Sequence, residues 1–212
     1  MLNLEKNKKY LLACSYGPDS MYLFDLLYKN GYDFEVAHVN YGLREECFQE
    51  TKDLVEYCNV RNINIHVLNA TVSSGKNVES ECRNIRYEYF SILVKKFHFD
   101  EVLVAHHFDD LLETYLIQKE RNNKVVYFGL KDTICIINVQ IRRPIIFVKK
   151  FQILEYLDKN SIPFAIDSSN LTDSFLRNKI RHLIIEKMSE TEKENLYLEI
   201  QNRNKELEEI RA

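Results

Sequence analysis

Four times in succession a short apolar run is followed by a turn and then by an amphipathic stretch of helical period. The apolar runs cover 9–15, 34–39, 63–68 and 101–106. The first amphipathic stretch runs from Met21 to Gly31, and the others cover 44–60, 79–97 and 109–119. Each apolar run is short and has no polar helical face, so it reads as a buried strand. This alternation implies parallel strands joined by right-handed crossovers. The expected fold is therefore α/β, a doubly wound parallel sheet of Rossmann-like type. Such sheets bind ligands beyond the carboxyl ends of their strands. The polar residues just after each run are the ones placed to do chemistry.

After residue 120 the rhythm breaks. Residues 125–130 and 133–141 are β-rich and suggest a hairpin or a strand closing the sheet. A helix is expected over about 148–159 and another over 175–187, with a polar loop from Asp167 to Ser174 between them. The chain has 212 residues, enough for one core with a small appendage. The division expected is one domain over 1–187 and a charged C-terminal helix over 188–212, serving as a linker or partner contact. On that helix Leu196, Ile200, Leu207 and Ile210 form one stripe that should bury against something.

Composition excludes several classes. No apolar run approaches the roughly 20 residues of a membrane span, and no secretory leader is evident at the start. The five cysteines, at 14, 47, 58, 82 and 135, include no CxxC and no zinc-ligand spacing. Reduced thiols in a cytoplasmic protein are expected. Net charge is −3, which argues against a uniformly basic nucleic-acid binder. The average conceals a gradient, however. From residue 186 onward there are eight acids and five Lys/Arg, whereas 142–187 holds nine Lys/Arg against five acids. A local basic patch remains available to a polyanion.

Four segments after the strands carry the candidate chemistry. Ser15-Tyr16-Gly17-Pro18-Asp19-Ser20 lies between a strand and a helix, where backbone N–H groups and hydroxyls can receive an anion. It lacks the lysine and spacing of a Walker A loop. The second segment holds His106, His107, Asp109, Asp110 and Glu113, two histidines and three acids within eight residues. It can be a helix cap, or a Mg²⁺ and general-base site facing the first loop. The third runs from Ala37 through His38, Asn40, Tyr41 and Gly42 to Arg44. The fourth holds Arg83 and Arg86, at i,i+3 on one helix and able to grip phosphate.

Together these segments resemble the tRNA(Ile)-lysidine synthetase family of the PP-loop ATP pyrophosphatases. The family's patterns SGGxDS, AHVNHGLR, ExxARxxRY and AHHxDDxxET are matched in that order. Three later segments also match: Arg143-Pro144-Ile145-Ile146, Asp167-Ser168-Ser169-Asn170 and Arg177-Asn178-Lys179-Ile180-Arg181. The resemblance spans about residues 10–187 and implies the short form, without the C-terminal domains of larger members.

The resemblance implies an enzyme that uses ATP and Mg²⁺. It adenylates the wobble cytidine of tRNA(Ile) bearing a CAU anticodon, releases pyrophosphate, and lets the amine of free lysine displace AMP to give lysidine. Ser15, Tyr16, Gly17, Pro18, Asp19, Ser20, His38 and Asn40 would hold the nucleotide, with Asp19 and Asp110 near the metal. Asp109, Asp110, Glu113, His106, His107, Arg83 and Arg86 would serve catalysis. Arg44, Arg143, Asn170, Arg177, Asn178 and Arg181 would face the tRNA. The expected partners are that tRNA and lysine, with no membrane and with a homodimer as an open assembly state. A wobble-region thiolase and a non-catalytic nucleotide sensor are the alternatives. Three positions depart from the family pattern: Tyr16 for the first glycine of the loop, Tyr41 for a histidine, and Cys82 for an alanine. If position 16 needs a positive φ, tyrosine is costly there.

Overall fold

The computed structural model describes residues 2–72, 78–122, 124–165 and 175–211. Strands β1 (Lys9–Ala13), β2 (Asp33–Asn40), β3 (Ile65–Asn69) and β4 (Glu101–Val104) alternate with helices α1 (Pro18–Lys29), α2 (Glu46–Asn59) and α3 (Val78–Phe97). Helix α4 (Phe108–Glu120), the hairpin β5 (Thr133–Ile136) and β6 (Val139–Arg142), and helices α5 (Lys150–Lys159), α6 (Phe175–Leu183) and α7 (Glu190–Arg211) follow. The sheet order is β3-β2-β1-β4-β6-β5. Among the described residues β1, β2, β3, β4 and β6 are parallel, and β5 runs antiparallel, at the edge beside β6. The doubly wound expectation is met, with its order reversing between β1 and β4.

Period-2 alternation assigns the faces. Tyr10, Leu12 and Cys14 join residues of α1, α2 and α5 in one apolar cluster. Leu11 points the other way, into a cluster with Tyr87, Phe90 and Leu93 of α3. A third cluster joins α4, α6 and α7 around Phe108, Leu112, Ile180 and Ile200. Helix α1 ends in a Schellman motif: Tyr32 N–H reaches Leu27 O, Gly31 N–H reaches Tyr28 O, and Gly31 sits at φ +64°.

Two expectations needed correction. Residues 125–130 form no strand. Asn204 of α7 accepts from Phe128 N–H at 2.8 Å and donates to Phe128 O at 3.1 Å, taking both groups that a neighbouring strand would have used. The hairpin instead lies wholly within 133–142, closed by Ile137 and Asn138, both at positive φ as a type I′ turn requires. On α7 the buried line passes through Lys193, Ile200 and Asn204, while Ile210 is 81% exposed.

Helix α7 begins with a capping box. Ser189 Oγ accepts from Glu192 N–H, and the Glu192 carboxylate accepts from Ser189 N–H. It then lies on α4, and its central contact is ionic: Lys193 Nζ stands 3.1 and 2.9 Å from the two oxygens of Asp109, with both side chains nearly buried. Removing one member of such a pair strands the other charge, at a typical cost of about 3–5 kcal/mol. Lys193→Ala should therefore lower the unfolding free energy by about 3 kcal/mol in urea titrations. Lys205→Ala, on the exposed side of α7, should cost less than about 0.5 kcal/mol. Equal midpoints for the two variants would show that the pair does not hold α7.

Candidate active site

The loop after β1 is shaped by its own hydroxyls. Gly17 N–H donates to Ser15 Oγ at 3.3 Å, Ser20 Oγ donates to Gly17 O at 2.9 Å, and the two hydroxyl oxygens lie 3.5 Å apart. Gly17 is the N-cap of α1 and has no side chain to cap it, and Pro18 occupies the first turn. The first-turn N–H groups are thus left for an anion. A Cβ on Gly17 would come within 3.3 Å of Ser15 Oγ.

Tyr16 adopts φ +68°. The position does require left-handed backbone, which costs a non-glycine residue about 1–2 kcal/mol. The ring compensates by burial in the cluster shared by β1, α1 and α2, and Tyr16 O accepts from Ala165 N–H at 2.9 Å. The side chain turns into the core and is 7% exposed.

The segment after β4 divides its labour. His107 is the N-cap of α4: its Nδ1 accepts from Asp109 N–H at 3.3 Å, while Asp110 accepts from His107 N–H at 2.8 Å. The other ring nitrogen, Nε2, lies 3.6 Å from Asp19 and 3.5 Å from Asp110, so both carboxylates converge on one point. Burial tends to raise the Asp110 pKa. The adjacent His107 and His106, the His107 N–H and Arg181 outweigh it and hold the carboxyl at about 2. Lys150, at the start of α5, reaches Asp19 at 2.6 Å. Asp109 is turned to Lys193 of α7, with which it makes the anchoring contact described above. Glu113 is 2% exposed and binds Arg181 through two contacts of 2.7 and 3.0 Å, and burial pushes its pKa up.

Other expected residues distribute as follows. His38 is buried, with Nδ1 on Cys14 O at 2.8 Å and Nε2 on Thr51 Oγ1 at 3.0 Å, so it ties β1, β2 and α2 together. Asn40 accepts from Gly42 N–H at 2.9 Å, while its buried Nδ2 has no partner. Arg44 faces Glu50 at 3.4 Å. Tyr41 Oη accepts from Arg86 Nε at 3.2 Å and donates to Cys82 O at 3.0 Å, so the departure at 41 orients an arginine. Arg143 is 4% exposed and donates from Nε to His106 Nδ1 at 2.9 Å. Its guanidinium is therefore taken up by protein groups, His106 Nδ1 and Lys131 O, and little of it reaches the surface. Asn170, with the Asp167–Asn170 segment, lies outside the described residues.

Two adjoining cavities open at the carboxyl ends of β1, β2 and β4. One, of about 270 Å³, is lined by Ser15, Gly17, His38, Asn40, Arg44, Arg83, Arg86, His106 and Arg177, with Glu50 and Glu79 also on its wall. The other, of about 330 Å³, is lined by Ser15, Asp19, Ser20, Arg86, His106 and Asp110 against an apolar wall of Val39, Phe90 and Val104. Four guanidiniums and a hydroxyl-rich loop suit a polyphosphate. Among the described residues, no three His, Cys, Asp or Glu side chains are grouped to hold a metal alone. Asp19 and Asp110 fit Mg²⁺, which is commonly held by one or two carboxylates together with phosphate oxygens and water. Lys150 escaped the sequence reading of the site, and Tyr41 was noted there only as a departure from the family pattern. Lys150 sits just past the arginine–proline segment in a run of two lysines, and nothing in its spacing points to Asp19.

Because the Tyr16 ring is core and its backbone is strained, Tyr16→Gly separates the two effects. Relief of the left-handed strain is smaller than the roughly 3–5 kcal/mol lost when a large aromatic is truncated in a core. The variant should be less stable by about 2 kcal/mol in denaturant unfolding, with nucleotide affinity changed less than threefold. A stabilised variant would mean that the ring contributes little packing.

A family model described as a PP-loop domain matches residues 1–188. A tRNA(Ile)-lysidine synthase of Mycoplasma mycoides subsp. mycoides SC is 39% identical over 186 residues, covering 85% of this chain and 46% of that protein. The Mycoplasma genitalium protein of the same name is 32% identical over 204 residues, covering 95% and 69%. The chain spans about half the length of several of the curated relatives that it matches. Among solved structures, the U34-tRNA thiolase NcsA from Methanococcus maripaludis aligns with a TM-score of 0.78 at 17% identity, covering 97% of this chain and 74% of that one, a likeness of fold. With its phosphate loop, its ordered motifs and these relatives taken together, the chain belongs to the PP-loop family and, within it, to the tRNA(Ile)-lysidine synthases.

Proposed function

We propose that this chain ligates free lysine to C2 of the wobble cytidine, tRNA position 34, of tRNA(Ile) with anticodon CAU. The nucleotide first activates the cytidine with loss of pyrophosphate, and the lysine amine then displaces AMP. The observation that carries the proposal is the convergence of the phosphate loop, Asp110 and four arginines on two adjoining cavities. Ser15, Gly17 and Ser20 would receive the phosphates, and Arg83, Arg86 and Arg177 would neutralise the charge that grows as pyrophosphate departs. Mg²⁺, held by Asp19 and Asp110, would supply further neutralisation of the phosphate oxygens. The second cavity sets carboxylates beside an apolar wall, a pairing that suits an alkylammonium such as lysine. The basic helix α6, carrying Arg177, Lys179 and Arg181, borders the site and would meet the tRNA backbone.

The test is AMP formation from ATP with lysine and a tRNA(Ile)-CAU transcript. AMP that requires both supports the proposal. Dependence on a sulfur donor would favour a thiolase, and nucleotide retention without turnover would favour a sensor. Asp110→Asn should reduce AMP release at least about 100-fold, while tRNA affinity changes less than threefold. Full activity in that variant would reduce Asp110 to a helix cap. Lys179, exposed on α6, serves as the probe of the tRNA face. Lys179→Ala should weaken tRNA binding and lower the slope of log affinity against log salt by about one. An unchanged slope would remove α6 from the interface.

A further inference from the structure

His106 lies at the wall shared by the two cavities. Its Nδ1 stands 2.9 Å from Arg143 Nε, at a guanidinium that is almost wholly buried and also donates to Lys131 O. An arginine has five N–H donors and no acceptor, and it stays protonated in proteins. The atom it meets must therefore present a lone pair. A histidine whose Nδ1 is a lone pair carries its proton on Nε2, the nitrogen on the side of the ring turned from Arg143.

We infer that Arg143 is a positioning residue that locks His106 as a neutral imidazole with its Nε2–H available to the cavities, making it a hydrogen-bond donor to a phosphate oxygen of the bound nucleotide. The surrounding charges agree. Burial is the main cause that disfavours an imidazolium; Asp110 opposes it, Arg143, Arg86 and Arg177 add to it, and together they bring the pKa down to about 4. A ring in this state offers no lone pair to the cavity. It is thus not the base that takes the proton from the attacking amine. A neutral imidazole used as a donor keeps a fixed N–H aimed at an oxyanion, which is the advantage of preorganisation. The phosphate role rests on the nucleotide-binding reading above, whereas the tautomer does not.

The whole chain, labelled with ¹⁵N-histidine, is examined by long-range ¹H–¹⁵N NMR at neutral pH, with His106 assigned by its absence from the spectrum of His106→Gln. The expected pattern is Nε2 protonated and Nδ1 bare, with the Nε2–H signal shifting when a non-hydrolysable ATP analogue saturates the protein. An Nδ1–H tautomer, an imidazolium, or a signal unmoved at saturation would overturn the inference. Arg143→Met should let both tautomers appear. If that variant does not fold, the wild-type spectrum and the His106 pair below still decide the matter. In single-turnover AMP formation, His106→Gln, which keeps an N–H donor near the place of Nε2, should retain activity within about tenfold, whereas His106→Ala should lose about 100-fold. Equal losses would make the ring a base and overturn the inference. Absence of any lysine- and tRNA-dependent AMP in the wild type would sink the proposed function, and the spectra would still decide the state of His106.

Discussion

The pairing of β1 with β4 is the contact on which the site depends. Tyr10 to Ala13 run in parallel register with Glu101 to Val104, and the strand order reverses at this pair. The loops that leave β1 and β4 therefore turn to opposite faces and leave a crevice between them. Into it come the first turn of α1, with Ser15 and Gly17 before it, and the N-terminus of α4, with Asp110. Asp19 and Asp110 are 91 residues apart in the chain, yet both stand about 3.5 Å from one nitrogen of His107. A register slip of one residue would turn every side chain of β1 to the wrong face.

Around this crevice the structure spends charge in two ways. Some arginines line the cavities, as Arg83, Arg86 and Arg177 do. Arginines and lysines that face protein fix other groups in place. Arg143 holds His106, Arg181 grips Glu113, Lys150 reaches Asp19, and Lys193 fastens α7 to Asp109 beside the catalytic candidate Asp110. The same residue type thus lines a cavity or braces the scaffold according to where the fold places it. The C-terminal helix belongs to the second group. Its acidic average conceals a buried lysine and a buried asparagine, each bound to a specific group on the main body.

Much of the fold was legible because parallel strands and their crossover helices write strong local patterns. The four apolar runs became β1 to β4 with small changes of boundary, and Gly31 ended α1 as its spacing suggested. The first β-rich stretch after residue 120 misled for a definite reason: Val125 to Leu130 have strand-like composition, but Asn204, distant in sequence, satisfies the backbone of Phe128. Of the candidate site, the loop at Ser15–Ser20 and Asp110 were legible from position after a strand. The roles of Asp109, Glu113 and Arg143 were not, because each depends on which partner the tertiary fold brings to it.

The sequence by itself determined the α/β class, the order of the phosphate loop and the acidic helix cap, and the family, since all three rest on local pattern and ordered motifs. It also determined that residue 16 would be strained if its backbone were left-handed. Only the tertiary structure decided that it is left-handed, at φ +68°, with the ring turned into the core. Only it decided which of five polar residues in His106–Glu113 face the cavities. On a helix cap, adjacent residues point in different directions, so Asp109 meets α7 while Asp110 meets the crevice. The protonation pattern of His106 was equally out of reach of sequence, because it is imposed by a buried guanidinium 37 residues away.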